Sequence, residues 1–220
     1  EPAINTKNVA GGIDYHDGIL VDNDARFVFN FVRSAIEAGA TAANYVEMVS
    51  ATRSDNKWTA TLRCVDTGEE FTTTASTIVN AAGPFVDKTN QQWGLTTEHR
   101  IVYSKGIHLV VPRLTTNNHH KVLAFYDDTE RLFYVIPMGR RSVIGTTDSR
   151  VDTPYTAVDD ADIDFLLDQI NARMDLPKPL SRHDIIAERS GVRPLVVNAG
   201  KGDQKNVDWT KLSRKHAVEV

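Results

Sequence analysis

Residues 101–111 constrain this chain more than any other stretch. Ile101, Tyr103, Ile107, Leu109 and Val111 fall on one side of an extended backbone, and Ser104, Gly106, His108 and Val110 fall on the other. Alternation at period two specifies a strand with two chemically different faces. One face is bulky and apolar. The other sets small residues beside an imidazole, which leaves room for a ligand.

The rest of the chain supplies partners for such a strand. Leu132 to Pro137, a Gly139-Arg140 turn and Ser142 to Thr147 read as a hairpin, and Ile185 to Val196 reads as a further strand whose odd positions Ile185, Ala187, Arg189, Gly191 and Arg193 point one way. Residues 159–174 carry Ile163, Leu166, Leu167, Ile170 and Met174 on one helical stripe. Upstream, residues 22–38 predict an amphipathic helix through Val28, Val32, Ala35 and Ile36, with Asp22, Asn23 and Asp24 as caps and Gly39 as the stop. A strand meander follows, turning at Ser54-Asp55-Asn56 and again at Asp66-Thr67-Gly68-Glu69. Residues 77–84 (Thr-Ile-Val-Asn-Ala-Ala-Gly-Pro) predict a short buried strand whose small-residue end admits a close approach. Residues 210–220 are a candidate last strand. These elements predict an α/β to α+β chain, with a soft boundary near residue 95.

Charge and cysteine content exclude several classes. The chain holds 25 Lys+Arg and 29 Asp+Glu, a net charge of −4, so it has no general attraction for nucleic acid or anionic lipid. Cys64 is the single cysteine, so neither an intrachain disulfide nor a zinc-thiolate cluster forms. No apolar run approaches the ~20 residues needed to cross a bilayer. The chain opens on Glu1-Pro2-Ala3 and stops inside an apparent strand, so it reads as a piece of a longer protein.

Two residues stand out chemically. His108 titrates near neutrality and has Ser104 and Gly106 beside it, which suits a general base; a core histidine satisfied by a backbone group has the same spacing. Arg193, in Ser190-Gly191-Val192-Arg193-Pro194, is held extended by the following proline, with Gly191 clearing space on its face. That suits an anion clamp, and a structural salt bridge equally. Thr146-Thr147-Asp148 reads as a turn held by side-chain to backbone bonds. His119-His120 reads as a solvated loop, and no metal-ligand spacing, GxGxxG, P-loop or GxSxG is present.

Taken in order, Gly12-Ile13-Asp14-Tyr15-His16-Asp17-Gly18, Asp24-Ala25-Arg26, Val79-Asn80-Ala81-Ala82-Gly83-Pro84, Ser104-Lys105-Gly106-Ile107-His108, Val135-Ile136-Pro137, Gly145-Thr146-Thr147-Asp148, Gly191-Val192-Arg193-Pro194 and Ser213-Arg214-Lys215-His216 resemble the FAD-dependent glycerol-3-phosphate dehydrogenases, within the D-amino-acid-oxidase-like flavoproteins. The resemblance covers nearly the whole chain. It implies the central part of a FAD-binding, glutathione-reductase-like domain over residues 1–94, without the GxGxxG unit that seats the pyrophosphate. Residues 95–220 would form a mixed or antiparallel substrate-binding cap and a return strand.

It further implies that Ala81, Ala82 and Gly83 lie along the dinucleotide. His108 would sit over the flavin beside the substrate C2 hydroxyl, and Arg193 and Arg214 would face the phosphate of glycerol 3-phosphate. His108 is then the proton acceptor. Arg193, effectively always protonated, would stabilise developing negative charge. Electrons would pass to quinone or another acceptor, with the intact enzyme cytoplasmic and peripheral on the inner membrane, and the piece alone would be inactive and hold no FAD. Two alternatives remain at this point: an FAD-dependent amine or amino-acid oxidase of the same superfamily, against which the Gly-Thr-Thr-Asp and Ser-Arg-Lys-His segments speak, and a non-catalytic binding module.

Overall fold

The computed structural model describes residues 3–7, 9–18, 20, 23–115, 121–126, 131–198 and 217–220. It separates into two compact units, residues 10–80 and residues 1–9 with 81–220, so residues 81–94 group with the longer unit.

The shorter unit begins with α1 (Asn23–Glu37), then β1 (Val46–Ser54), β2 (Lys57–Cys64) and β3 (Glu70–Ala75), which pair antiparallel in the order β1-β2-β3. Asp55 and Asn56 take φ of 52° and 62°, the left-handed pair that a two-residue hairpin turn requires. Cross-strand contacts fasten the meander: Arg63 pairs with Glu47 at 2.6 Å, and the Arg53 guanidinium lies 5.9 Å from the Trp58 ring. The helix stripe forms as expected, but Phe27, Val28, Phe31, Val32 and Ile36 are exposed among the described residues.

The longer unit holds α2 (Val86–Gln92), β4 (His99–Pro112), β5 (Leu123–Tyr126), β6 (Leu132–Met138), β7 (Arg141–Gly145), β8 (Ser149–Val151), α3 (Asp160–Arg173) and β9 (Ala187–Asn198). The six strands form one sheet. β4 is its spine, with β9 along one edge and β7 and β8 sharing the other; β6 and β5 continue outward from β7. All pairs are antiparallel.

The apolar face of β4 is the buried one. Ile107, Leu109 and Val111 are fully buried with Val135, Phe133 and Ile144 beneath Ile163, Leu166, Leu167 and Ile170 of α3. Each fully covered aliphatic side chain contributes roughly 1.5–3 kcal/mol through the water it leaves.

Lys105 is on this face too, yet it is a charged residue at 7% exposure. Its ammonium lies 2.7 Å from Asp159 and 2.6 Å from Asp162. Those two carboxylates form the capping box of α3, so a single ammonium ties the helix start to the spine strand. Burial works against the charge on Lys105, but the two hydrogen-bonded carboxylates outweigh it and its pKa is raised. Asp159 is correspondingly lowered, first by its hydrogen bond from Lys105.

Two strand expectations are corrected. Residues 77–82 form no strand, and Val79 is 81% exposed. A strand of that composition needs neighbouring strands on both sides, and none of the described strands pairs with it. Residues 217–220 are not a strand either, and residues 210–216 lie outside the described residues. β5 and β8, of four and three residues, are too short to carry a readable alternation.

Replacing Lys105 with Met leaves the nearly buried Asp162 carboxylate without its cation, and the full-length protein is expected to lose roughly 3 kcal/mol at pH 7. The Lys105 contribution is present below the ordinary value of 10.5 and disappears only as pH rises through its raised pKa. The Asp159 contribution is present above 3.8 and lost as pH falls through its lowered pKa. Urea midpoints of wild type and Lys105→Met should therefore differ at pH 7 and converge as acid takes the pH down through the lowered Asp159 pKa; equal midpoints at pH 7 would remove the clasp from the account.

Candidate active site on the open face of the sheet

The face of β4 turned away from α3 carries the residues of interest, and the pairing register sets them side by side. Residues directly opposite in an antiparallel pair point to the same face. Ser104 pairs with Arg193, Gly106 with Gly191 and His108 with Arg189. Across the other edge His108 pairs with Gly145, which pairs with Tyr134. The face is thus a floor of glycine between two arginines, a histidine and a tyrosine.

Arg193 does not stand upright in this floor. Its guanidinium leans over Gly106: a Cβ built there would lie 2.5 Å from Nη2 and 2.7 Å from Nη1. Gly191 has nothing within 4 Å of its Cβ position. The space that Arg193 uses is therefore cleared by the neighbouring strand, and the glycine two residues before it stays open.

The loop after β7 holds this pose. Arg193 Nη2 donates to Thr146 Oγ1 at 2.8 Å and Nη1 donates to the Thr147 carbonyl at 3.3 Å. The Asp148 carboxylate lies 3.9 Å from Nη1 and accepts a hydrogen bond from the buried Ser104 hydroxyl. Thr147 Oγ1 accepts from Ile107 N at 3.1 Å, and Arg131 donates to the Asp148 carbonyl at 2.6 Å. Thr146 Oγ1 donates to the Thr147 carbonyl within this segment, and the same segment forms the acceptor wall for Arg193.

His108 is half-buried and makes no hydrogen bond among the described residues. Gly145 sits against it at φ 145°, with the Cβ position 2.9 Å from His108 Cδ2 and 2.6 Å from the Ile107 carbonyl. No L side chain fits there without moving the ring. Burial, then the charges of Arg193 and Arg189, lower the His108 pKa below its ordinary 6.5. The imidazole is neutral at pH 7 and both ring nitrogens are free among the described residues, the state in which it accepts a proton.

Ala81, Ala82 and Gly83 lie in the same unit. Ala81 and Ala82 are exposed. Gly83 takes φ 55° with nothing within 4 Å of its Cβ position, and it begins a short 3-10 turn (Gly83–Phe85) that packs against β9. The next helix, α2, is pinned to β4 by Ile101 N donating to Asp87 at 2.7 Å. Arg214 and the His119-His120 pair lie outside the described residues.

Sequence reasoning singled out His108 and Arg193, and the sheet places both on one face. It gave no site role to Gly145, Asp148 or Arg189. Arg189 was visible in the odd-position parity of its strand. Gly145 and Asp148 became visible only with the cross-strand register.

The profile of the family described as "FAD dependent oxidoreductase" matches residues 1–206. The mitochondrial glycerol-3-phosphate dehydrogenase of Macaca fascicularis is 30% identical over 227 residues, covering 100% of this chain and 30% of that protein. Glycerol-3-phosphate dehydrogenase 2 of Mycobacterium bovis is 32% identical over 223 residues, covering 100% of this chain and 36% of that protein. The chain thus spans about a third of the length of these relatives. The solved glycerol-3-phosphate dehydrogenase of Bacillus halodurans, complexed with FAD, superposes with a TM-score of 0.70 at 27% identity, over 79% of this chain and 36% of that one. With the family profile running through both units and through the glycine-floored face, this chain belongs to the FAD dependent oxidoreductase family.

Proposed function

We propose that the chain is the central part of a flavoenzyme that oxidises sn-glycerol 3-phosphate at C2 to dihydroxyacetone phosphate. The observation that carries this reading is the pairing of a neutral, unbonded His108 with the fixed cation of Arg193 on one open, glycine-cleared face. An alcohol oxidation needs a proton acceptor and a positive charge near the same oxygen.

The small residues at 81–83 fit a dinucleotide: Ala81 and Ala82 are exposed, and Gly83 adds no side chain at a positive φ. Bound FAD supplies the two-electron acceptor that takes the hydride from C2. The chain's own residues do the rest. His108 accepts the C2 hydroxyl proton as the C–H bond breaks, which leaves a ketone. Arg193 remains protonated and offsets the negative charge that grows on the oxygen or rests on the phosphate. Arg214 is the second substrate arginine in this reading. Quinone is the onward acceptor, reached from the membrane surface; among the described residues no helix is long and apolar enough to cross a membrane.

The direct test is anaerobic bleaching of the flavin band of the full-length protein. Glycerol 3-phosphate should bleach it, while glycine and sarcosine should not; the reverse pattern would make the protein an amine or amino-acid oxidase.

In that enzyme His108→Ala should lower kcat by roughly 10²–10⁴-fold with a much smaller change in KM. The acid limb of the wild-type kcat/KM profile should fall below pH 6.5, because burial and the two arginines hold the free-enzyme imidazole neutral to lower pH. A rate within about threefold of wild type, with chemistry rate-limiting, would make His108 structural.

Gly106→Ala tests the floor. Its methyl would sit 2.5 Å from the Arg193 guanidinium and must displace it. The kcat/KM for glycerol 3-phosphate should drop by about 10–150-fold, as for Arg193→Ala, since either change removes a charge-assisted contact. The flavin content should stay at the wild-type ratio. Unchanged turnover in Gly106→Ala would show that the Arg193 pose is not the working one.

A further inference from the structure

We propose that Arg189 is a substrate-binding residue of this face, the donor that selects a phosphate dianion over singly charged or neutral alcohols. The proposal rests on the functional reading above and adds to it a residue that the reading does not use.

Three observations carry it. First, Arg189 is on the open face by register. It pairs with His108 directly, and it is on the same side of β9 as Gly191 and Arg193. The two arginines are four residue steps apart, about 13 Å of strand. The Arg193 fork leans back over Gly106, one register step nearer, so the open ground between the two forks is shorter than that.

Second, the two guanidiniums differ in what they have left to give. Arg193 already donates to Thr146 and Thr147 and has Asp148 at 3.9 Å. Its fork is held in place, and part of its charge is answered. Arg189 is exposed and makes no hydrogen bond or ion pair among the described residues. All five of its N–H donors are available, and no carboxylate of the described residues neutralises it.

Third, the ground between them is empty. Gly191 has nothing within 4 Å of its Cβ position, so a tetrahedral group can settle on the floor within reach of both sides. A phosphate monoester near neutral pH carries two charges and three terminal oxygens, which suits one fixed fork and one free fork. A carboxylate would be satisfied by a single fork. Elsewhere in the unit another exposed arginine, Arg182, is occupied by Asp160 and Asp164.

The test uses the full-length flavoprotein with Arg189→Gln, which keeps a polar, hydrogen-bonding side chain and loses the charge, and Arg189→Lys, which keeps the charge and loses the fork. Inorganic phosphate binding is read by calorimetry, and KM and kcat are read with glycerol 3-phosphate. Arg189→Gln should weaken phosphate binding about tenfold and raise KM by a similar factor, more than it lowers kcat, with Arg189→Lys between it and wild type. Phosphate affinity and KM within twofold of wild type in Arg189→Gln would overturn the assignment. If wild type did not oxidise glycerol 3-phosphate at all, the functional reading would fail by itself. The phosphate titration would still decide Arg189, since a tenfold loss supports an anion site for another substrate and no loss overturns it.

Discussion

Everything at the candidate site depends on the register between β4 and β9, from His99 against Asn198 to Val110 against Ala187. Side chains alternate faces along a strand, so a slip of one residue would turn Arg189, Gly191 and Arg193 toward α3 and bring Glu188, Ser190 and Val192 to the open face. The facing of β4 is fixed from the other side of the sheet. Ile107, Leu109 and Val111 have no exposure, and moving any of them to the open face would cost the full burial of a large apolar side chain. The apolar half of β4 thus determines where its polar half stands. Lys105 adds a charged fastener to that apolar half, since its ammonium joins the strand to both carboxylates of the α3 capping box.

The open face itself is built by omission. Gly106 makes room for a guanidinium and Gly145 for the edge of an imidazole. Glycine in a strand interior gives up cross-strand packing and costs backbone entropy, which a purely structural strand would avoid. The neighbouring polar network offsets part of that cost. Thr146 and Thr147 give Arg193 defined acceptors, and the Ser104 hydroxyl holds the Asp148 carboxylate beside them, so the arginine has a defined pose. A side chain ordered in advance loses less entropy when a substrate arrives.

The long elements were legible in the sequence because their signals are local. The alternation of residues 101–111, the hairpin around Gly139-Arg140 and the 163–174 stripe each carry their pattern within a dozen residues. What was illegible depends on partners. Residues 77–82 have strand composition, but none of the described strands flanks them, so composition and conformation part. The short strands β5 and β8 are defined by the hairpin and the spine they pair with. At the site, His108 and Arg193 showed as chemically unusual residues in extended segments. Their mutual placement, the use of Gly106 rather than Gly191 by the guanidinium, and the second role of Thr146-Thr147-Asp148 all require cross-strand neighbours 40 or more residues apart. Arg189 lies between these cases: its parity was readable, and its position opposite His108 was not.

The division of labour between His108 and the arginines follows from where each charge can go. Under the proposed reaction a base must be neutral before the proton moves and charged after it. Burial and two nearby guanidiniums favour the first state and disfavour the second. Left alone, that bias would make His108 a weaker acceptor. The substrate reverses it: a phosphate dianion on the floor between Arg189 and Arg193 would answer their charge, and the imidazolium would then form beside a neutralised pair. The same arginines that lower the His108 pKa would thus penalise its protonation least when the anionic substrate is bound, and most when an uncharged alcohol takes its place. In this reading, preference for the anion and readiness to take the proton are one electrostatic property of the face.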